Sequence, residues 1–482
     1  MVSVTGQAEG GFVRRIAGTT GRLLALGLLF SLIATSTAHA HAGEAGLILL
    51  LPTALYIFGG ASAVLVSFLV LAFFYRSALP SPAAEITRRI VPRGLVQGIS
   101  LLCFLFLAFL VAAGRFGNPD PIVNPLPTTL WIVWWAGFTL LVVLFGNLWS
   151  FANPWIGLYL LTPQRPLRPY PEQFGTLPAI LQFLAFAWFE LIYPTPQDPS
   201  RLAFAVSVYW VGNLAALLVF GPRWLQRGEA FSVFFAMVGR LSPRTWHLET
   251  APALAVTTTT GAPARELRMA SDDLSAVAFV LVTLSCVSFD GLSRTFSWVG
   301  FLGLNPLEFP GRSAVIGVNT AGLLLAFLIL GGLYAAAIAL GPWRMGLVPT
   351  LSEGLRRFVL AIVPISIAYH LAHYLQSLIV GFPGAVLAFG DPFGLGWSLL
   401  PHVGLHHGST MGLGPDGVVA AYRAQTALIV VGHIVATWTA HRIALEQTAD
   451  RRKAILSQIP LTALMVGYTV FGLWLLSTPE IG

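Results

Sequence analysis

Residues 321–340 read "AGLLLAFLILGGLYAAAIAL", twenty residues without a charged side chain. About 20 apolar residues is the length that an α-helix needs to cross the hydrocarbon core of a bilayer. The whole chain shares this character, because 56% of its 482 residues are hydrophobic and only 10% are charged. A soluble chain carries about a quarter charged residues. The sequence therefore predicts an all-α, polytopic transmembrane helical bundle that is surrounded by the lipid bilayer.

Apolar runs of this kind recur after residue 41, and each predicts one membrane span. The ten predicted spans are 47–74, 95–113, 128–146, 174–192, 202–221, 272–292, 313–340, 354–380, 417–441 and 459–477. Cys103 and Cys286 both fall inside predicted spans, so the sequence indicates no disulfide framework. The net charge of +7 belongs to loops that orient the helices, and it does not indicate a nucleic-acid partner.

The N-terminus has the features of a secretory signal. Arg14, Arg15 and Arg22 precede the apolar run "LLALGLLFSLI", and Ala38-His39-Ala40 fits the small-residue rule for signal cleavage. We therefore predict a signal peptide at 1–40 and a single transmembrane domain at 41–482. An uncleaved first helix is the alternative.

Positive charge alternates between successive loops. The loops at 75–94, 147–173, 222–271, 341–357 and 442–458 hold 4, 2, 6, 3 and 4 Arg or Lys residues, a total of 19. The opposite loops hold only Arg115, Arg201, Arg294 and Arg312, and Arg423 lies at the mouth of the ninth span. Because positively charged loops stay in the cytoplasm, we predict a multi-pass protein of the bacterial cytoplasmic membrane with both mature termini on the periplasmic side.

The longest predicted cytoplasmic loop, 222–271, divides into two parts. Its beginning, "PRWLQRGEAFSVFFAMVGRLSPR", predicts an amphipathic helix at the membrane interface. Its continuation, "ETAPALAVTTTTGAPARE", is rich in Thr, Ala and Pro and predicts a flexible linker.

Ionisable side chains are rare inside the predicted spans. Such residues are costly in a bilayer and often mark a functional site. The predicted topology places them in the middle or the periplasmic half of the membrane. They are Glu190, Asp290, His370, His373 and His433.

His370 and His373 lie three residues apart in "AYHLAHY" (368–374), a spacing that puts two side chains on one helix face. Pro364, one to two turns earlier, predicts a kink there. Imidazole is the commonest metal ligand, and Asp290 can complete or orient a ligand set. We therefore predict a divalent transition metal, zinc or copper, held by His370, His373, His433 and Asp290. A proton-handling site is the alternative, and His433 alone is also typical of a residue that joins helices by hydrogen bonding.

Further histidines lie in predicted periplasmic segments. Cleavage after Ala40 would make His41 the first residue, and its amino group and imidazole would together chelate copper. His402, His406 and His407 lie in the loop 381–416 and are less specific candidates.

An ordered set of motifs resembles the bacterial membrane proteins called fenitrothion hydrolases. The set is "ANPW" (152–155), "FAWFELIYP" (186–194), "SFDGLS" (288–293), "AYHLAHY" (368–374), "DPFGLGW" (391–397) and "GHIVATWTAHRIAL" (432–445). The resemblance implies hydrolysis of an organophosphorus triester, with Glu190, Asp290, His370, His373 and His433 as the residues that matter. Asp290 and Glu190 are then the catalytic candidates, and a small lipophilic molecule is the expected substrate.

Two other functions fit the same residues. A carrier or transporter of a metal such as copper would use the histidines as a binding site. Its polar path would continue toward the cytoplasm through Asn213 and Asn319. A structural or assembly factor would use the histidines only to join helices.

Overall fold

A computed structural model describes residues 52–75, 85–249, 255–260, 267, 271, 273–400 and 414–481. The protein is 76% helical with almost no strands. The predicted signal peptide, His41 and the loop histidines His402, His406 and His407 lie outside the described residues.

Eleven apolar helices build the described bundle. They are α1 (Thr53–Phe74), α2 (Arg93–Phe116), α3 (Pro125–Phe145), α4 (Leu177–Leu191), α5 (Pro199–Phe220), α6 (Ala230–Gly239), α7 (Leu274–Ser293), α8 (Ile316–Ile338), α9 (Val363–Leu387), α10 (Pro415–Gln447) and α11 (Arg451–Ser477). All of them except α4 and α6 are long and apolar enough to cross a membrane. The predicted fold class, an all-α polytopic bundle, is confirmed.

The span predicted at 174–192 is the exception in length. Its helix, α4, has 15 residues, which rise about 22 Å and fall short of a hydrocarbon core of about 30 Å. The last turn of α4 ends at the buried Leu191, and the chain is exposed at Pro194 and Thr195. Glu190 belongs to that turn.

Short elements connect the long helices. Single helical turns and short helices occupy Trp149–Ala152, Ile156–Tyr159, Glu172–Phe174, Arg223–Arg227, Phe296–Phe301, Pro306–Glu308, Arg312–Val315, Leu351–Phe358, Val359–Ile362 and Ala388–Gly390. Two stretches have π-helical geometry, Thr129–Phe138 inside α3 and Ala339–Trp343 after α8. The break before α9 fits the kink predicted at Pro364, because proline lacks the N–H that would continue the preceding helix.

A three-stranded antiparallel sheet lies at one end of the bundle. Its strands are β1 (Glu85–Ile90), β2 (Arg244–Glu249) and β3 (Ala255–Thr260), in the order β1-β3-β2. The flexible linker predicted within 222–271 is therefore wrong at β3, which is the central strand. The sheet joins two loops that the charge pattern had placed on the same side of the membrane.

The interfacial helix predicted in the same loop is also wrong. Its second half is α6, whose Phe231, Phe234 and Phe235 are buried in the core. Phe231 and Phe235 both meet the ring of Trp134 edge to face. Packing of the aromatic residues therefore buries this segment in the bundle. Sequence periodicity alone does not distinguish a helix buried in the bundle from one that lies on the membrane surface.

Burial divides the helices into a centre and a periphery. In the most apolar windows of α7 and of the span Leu351–Gly390, which contains α9, 72% and 78% of the residues are buried, whereas the corresponding values for α2 and α5 are 17% and 22%. The two central helices are the ones that carry Asp290, His370 and His373.

Candidate functional site

The candidate site lies where α4, α7 and α9 meet the π-helical stretch of α3. Glu190 projects from the last turn of α4, Asp290 from the last turn of α7, and His370 and Tyr374 from α9. They line one cavity of about 20 Å³. That volume has room for about one water molecule. The remaining wall is mostly aromatic or apolar and is formed by Trp135, Phe183, Phe186, Ala187, Leu191, Phe234, Thr283, Cys286, Val287 and Ser366.

Asp290 is a buried carboxylate between the guanidinium of Arg294 and the imidazole of His373. Its Oδ2 lies 2.7 Å from Nε2 of His373, and its Oδ1 lies 3.2 Å from Nε of Arg294. Only 2% of the Asp290 side chain is exposed, and a charge at such a position is tolerated when it is paired. The same pairing raises the pKa of the Arg294 guanidinium above its ordinary value.

Glu190 has a different environment. Its Oε1 lies 2.6 Å from the Tyr374 hydroxyl oxygen, within hydrogen-bond distance. That hydroxyl also lies 3.2 Å from Oδ2 of Asp290, so Tyr374 bridges the two carboxyl groups. Arg312 donates to the main-chain oxygen of Glu190 at 2.7 Å and thereby holds the end of α4 in place. No ion pair to the Glu190 side chain occurs among the residues that the structure describes.

The two histidines of "AYHLAHY" have different partners. Nε2 of His370 donates to the main-chain oxygen of Trp135 over 3.0 Å, because a carbonyl can only accept. The His370 ring also meets the Trp135 ring edge to face, with centroids 4.6 Å apart. His373 turns instead to Asp290. The two histidines, which were predicted to act together on one helix face, therefore bind different groups. His370 bonds to the Trp135 carbonyl, and His373 pairs with the Asp290 carboxylate.

His433 lies apart from this arrangement. It is fully buried, but Nδ1 donates to the main-chain oxygen of Ile429, one turn earlier in α10, over 2.8 Å. His433 is not among the side chains that line the cavity. The structure thus brings together Glu190, Asp290, His370 and His373 and leaves His433 in a separate position.

The ligands predicted for a zinc or copper ion do not converge. Within the described residues, no group of three or more His, Cys, Asp or Glu side chains is arranged to hold a metal ion. His373 is paired with Asp290, Glu190 with Tyr374, and Nε2 of His370 with a carbonyl. The described side chains in this arrangement do not form a metal cradle, and the metal stays a prediction.

The asparagines considered for a polar path are engaged elsewhere. Asn213 donates to Gln182 and accepts from the Trp224 indole. Asn319 accepts from the Trp298 indole. These three bonds join neighbouring helices, which is a structural role.

Sequence reasoning missed Tyr374 and Arg294. Arg294 follows Asp290 by four residues, a spacing that brings two helical side chains together and was readable from the sequence. Tyr374 directly follows His373, but an aromatic residue in an apolar helix gives no distinguishing signal.

Comparison with known proteins adds no assignment. No family model, no curated protein and no solved structure matches the chain. The resemblance to the fenitrothion hydrolases therefore rests on the sequence motifs alone.

Proposed function

We propose that the protein is a membrane-embedded hydrolase in which Asp290 is the general base and Glu190 the general acid. The supporting observation is that these two carboxyl groups share one cavity and one hydroxyl partner but differ in their charged neighbours. Asp290 is paired with His373 and Arg294, which favour its ionised form. Glu190 lies beside apolar residues, and the Tyr374 hydroxyl connects it to the negative charge of Asp290; the apolar surroundings and that charge favour its protonated form. Two carboxyl groups in contrasting environments are typical of an acid–base pair.

The reaction follows from these two states. Asp290 takes a proton from a water molecule in the cavity while the water oxygen attacks the ester centre. Glu190 gives its proton to the departing oxygen. Asp290 gains one proton and Glu190 loses one, so the total charge of the two carboxyl groups is the same before and after bond cleavage.

The cavity wall indicates the class of substrate. Trp135, Phe183, Phe186 and Phe234 surround the carboxyl groups with aromatic surface, which suits a lipophilic ester that partitions into the bilayer. An organophosphorus triester, as the resemblance implies, belongs to this class. Because the cavity has room for about one water molecule and drug-sized ligands occupy about 300 Å³ or more, the aromatic wall must move to admit such a substrate.

Hydrolysis by purified full-length variants tests the proposal. The assay uses a chromogenic organophosphorus triester with a nitrophenolate leaving group, and a carboxylic ester of similar size. Asp290→Asn should lower the rate by about 10²–10⁴-fold, the usual effect of losing a general base. Glu190→Gln should lower it most for the ester with the poorer leaving group, because that oxygen needs the proton more.

His433→Gln is the matched control, since it also changes a buried polar residue of the bundle but does not reach the cavity. It should hydrolyse at the wild-type rate. Equal rates in wild type, Asp290→Asn and Glu190→Gln would contradict the proposal, as would the absence of hydrolysis of either ester by the wild type.

Metal analysis of the same samples tests the predicted zinc or copper and the alternative of a metal carrier. Stoichiometric metal that is lost in His370→Ala/His373→Ala, without hydrolysis, would favour metal binding or transport. Metal together with hydrolysis would show that the reaction uses the ion.

A further inference from the structure

Four polar side chains connect the cavity to the protein surface. His373 is 20% exposed, and its Nε2 lies 2.7 Å from Oδ2 of Asp290. The same oxygen lies 3.2 Å from the Tyr374 hydroxyl, which lies 2.6 Å from Oε1 of Glu190. Each step is within hydrogen-bond distance. Hydrogen-bond contacts are therefore continuous from the partly exposed His373 to Glu190 at the end of α4.

Hydrogen counting shows which way the bonds can point. A tyrosine hydroxyl has one hydrogen to donate and can accept as well. It cannot donate fully to two ionised carboxylates at once. If Glu190 is protonated, it donates to the Tyr374 oxygen, Tyr374 donates to Asp290, and every contact is satisfied.

We propose that His373, Asp290, Tyr374 and Glu190 form a proton relay between external water and Glu190. Its use in catalysis rests on the hydrolase proposed above, because that reaction leaves Asp290 protonated and Glu190 ionised. The relay then restores both groups to their starting states. Proton movement along the series itself needs no substrate.

The transfers balance at each atom. After hydrolysis, the Asp290 carboxyl gives its proton to the Tyr374 oxygen while Tyr374 gives its own to Oε1 of Glu190. Asp290 is again a carboxylate, Glu190 is again protonated, and Tyr374 is unchanged. Exchange with solvent uses His373, because imidazole can take a proton on one nitrogen and release one from the other.

The outer end of the series is bordered by the C-terminal segment. The main-chain N–H of Ile481 donates to the oxygen of Arg294 at 2.9 Å, and Thr295 pairs with Glu480 in an antiparallel bridge. Although the residue as a whole is exposed, loss of water around its carboxyl raises the pKa of Glu480, and the charges of His373 and Arg294 act in the opposite direction. Glu480, Arg294 and Asp290 are thus the charged groups around His373 that set how readily it exchanges protons.

Infrared spectroscopy of the substrate-free, full-length protein in detergent tests the relay. A protonated carboxyl has a C=O stretching band that shifts when hydrogen is exchanged for deuterium. At pH 7 wild type should show such a band and Glu190→Gln should lack it. In Tyr374→Phe the band should remain, but its shift after transfer to D₂O should be about tenfold slower or more, the factor for losing one hydrogen bond of about 1.4 kcal/mol from the transfer step.

Tyr468→Phe is the matched control. Its hydroxyl is also buried in the bundle and bonds to Ser288, but it takes no part in the series. Exchange in this variant should match wild type. His373→Gln provides a second test at the exposed end of the series, should Tyr374→Phe fail to fold, and it should also slow exchange.

Identical bands in wild type and Glu190→Gln would overturn the relay, as would wild-type exchange rates in both Tyr374→Phe and His373→Gln. Neither result depends on hydrolysis. If the protein hydrolyses neither ester but the relay exists, Tyr374→Phe and His373→Gln will still exchange slowly. Failure of the hydrolase proposal can therefore be told apart from failure of the relay.

Discussion

Arg294 Nε lies 3.2 Å from Oδ1 of Asp290, one helical turn further along α7. His373 of α9 approaches the other oxygen, Oδ2, at 2.7 Å. The carboxylate is therefore held from both sides, once by its own helix and once by a neighbouring one. Because the contact between His373 and Asp290 joins α9 to α7, the packing of these two helices depends on Asp290 being ionised.

Removal of Arg294 should destabilise the protein. Arg294→Gln removes the guanidinium beside the buried Asp290 carboxylate, and we expect the free energy of unfolding to fall by about 1–3 kcal/mol. The loss is smaller than for a fully buried pair because 41% of the Arg294 side chain is exposed. Thermal or denaturant unfolding in detergent measures it.

An exposed pair provides the control. Arg201 and Asp198 lie 4.0 Å apart with 57% and 39% of their side chains exposed, so Arg201→Gln should cost less than about 1 kcal/mol. Arg294→Gln/Asp290→Asn should recover part of the loss, because no unpaired charge remains. Equal decreases in the free energy of unfolding for Arg294→Gln and Arg201→Gln would show that the buried ion pair stabilises the protein no more than the exposed one.

Close packing between α9 and α10 depends on Gly432. A Cβ atom added there would lie 2.4 Å from Cβ of Ala368 and 2.9 Å from the main-chain oxygen of Pro364. Gly432→Ala should therefore push α10 away from the helix that carries His370 and His373, at a cost of about 1–3 kcal/mol in the free energy of unfolding.

Gly467→Ala in α11 is the matched substitution, because nothing lies within 4 Å of the added Cβ. Alanine also favours helix more than glycine does, so this variant should be unchanged or slightly more stable. A Gly432→Ala protein as stable as Gly467→Ala would contradict the packing described for α9 and α10.

Asp273 should make the stability of α7 depend on pH. It caps the helix by accepting from the main-chain N–H of Ala276 at 2.9 Å and pairs with Arg227. Burial raises the pKa of its carboxyl, but the hydrogen bonds from Ser275 and Ala276 and the charge of Arg227 outweigh it and lower the pKa overall. A carboxyl with a lowered pKa stabilises the folded state above its unfolded pKa of about 3.9, and that stability is lost as the pH falls through the folded pKa.

Asp273→Asn keeps a good N-cap and removes only the charge. It should lower the free energy of unfolding by about 1 kcal/mol at pH 7, and the difference from wild type should shrink below pH of about 4. Asp450→Asn is the comparison, since Asp450 caps α11 through one bond of 3.2 Å from Lys453. A pH-independent difference for Asp273→Asn would show that its charge has no role.

The sequence predicted the helical bundle because each span needs only a local run of apolar residues. It also predicted that Glu190, Asp290 and His373 matter, because charge inside a span is conspicuous. It did not predict which of them touch, since Glu190, Asp290 and His373 come from three different helices. Spacing within one helix suggested that His370 and His373 act together, and packing against Trp135 separated them.

In the loop 222–271, a strand formed where the sequence predicted no regular structure. Residues 255–260, "AVTTTT", lack an alternating apolar pattern, yet they pair with β1 and β2 as the central strand. Its pairing with β1 joins residues far apart in the chain, such as Thr87 with Thr258. Long-range pairing of this kind depends on where the helices place their ends, which local composition does not encode.

The orientation in the membrane is the last prediction, and cysteine labelling tests it. Ile86 lies in β1, at the end of the bundle that the positive loops place in the cytoplasm, and 57% of its surface is exposed. Glu480 is exposed at the end where the C-terminal segment pairs with Thr295. In a Cys103→Ala/Cys286→Ala background, Glu480→Cys should react with a membrane-impermeant maleimide from the periplasmic side. Ile86→Cys should react only after the membrane is permeabilised, and the cysteine-free background should not react. The reverse pattern would place the candidate site and His373 in the cytoplasmic half, where the relay would exchange protons with the cell interior.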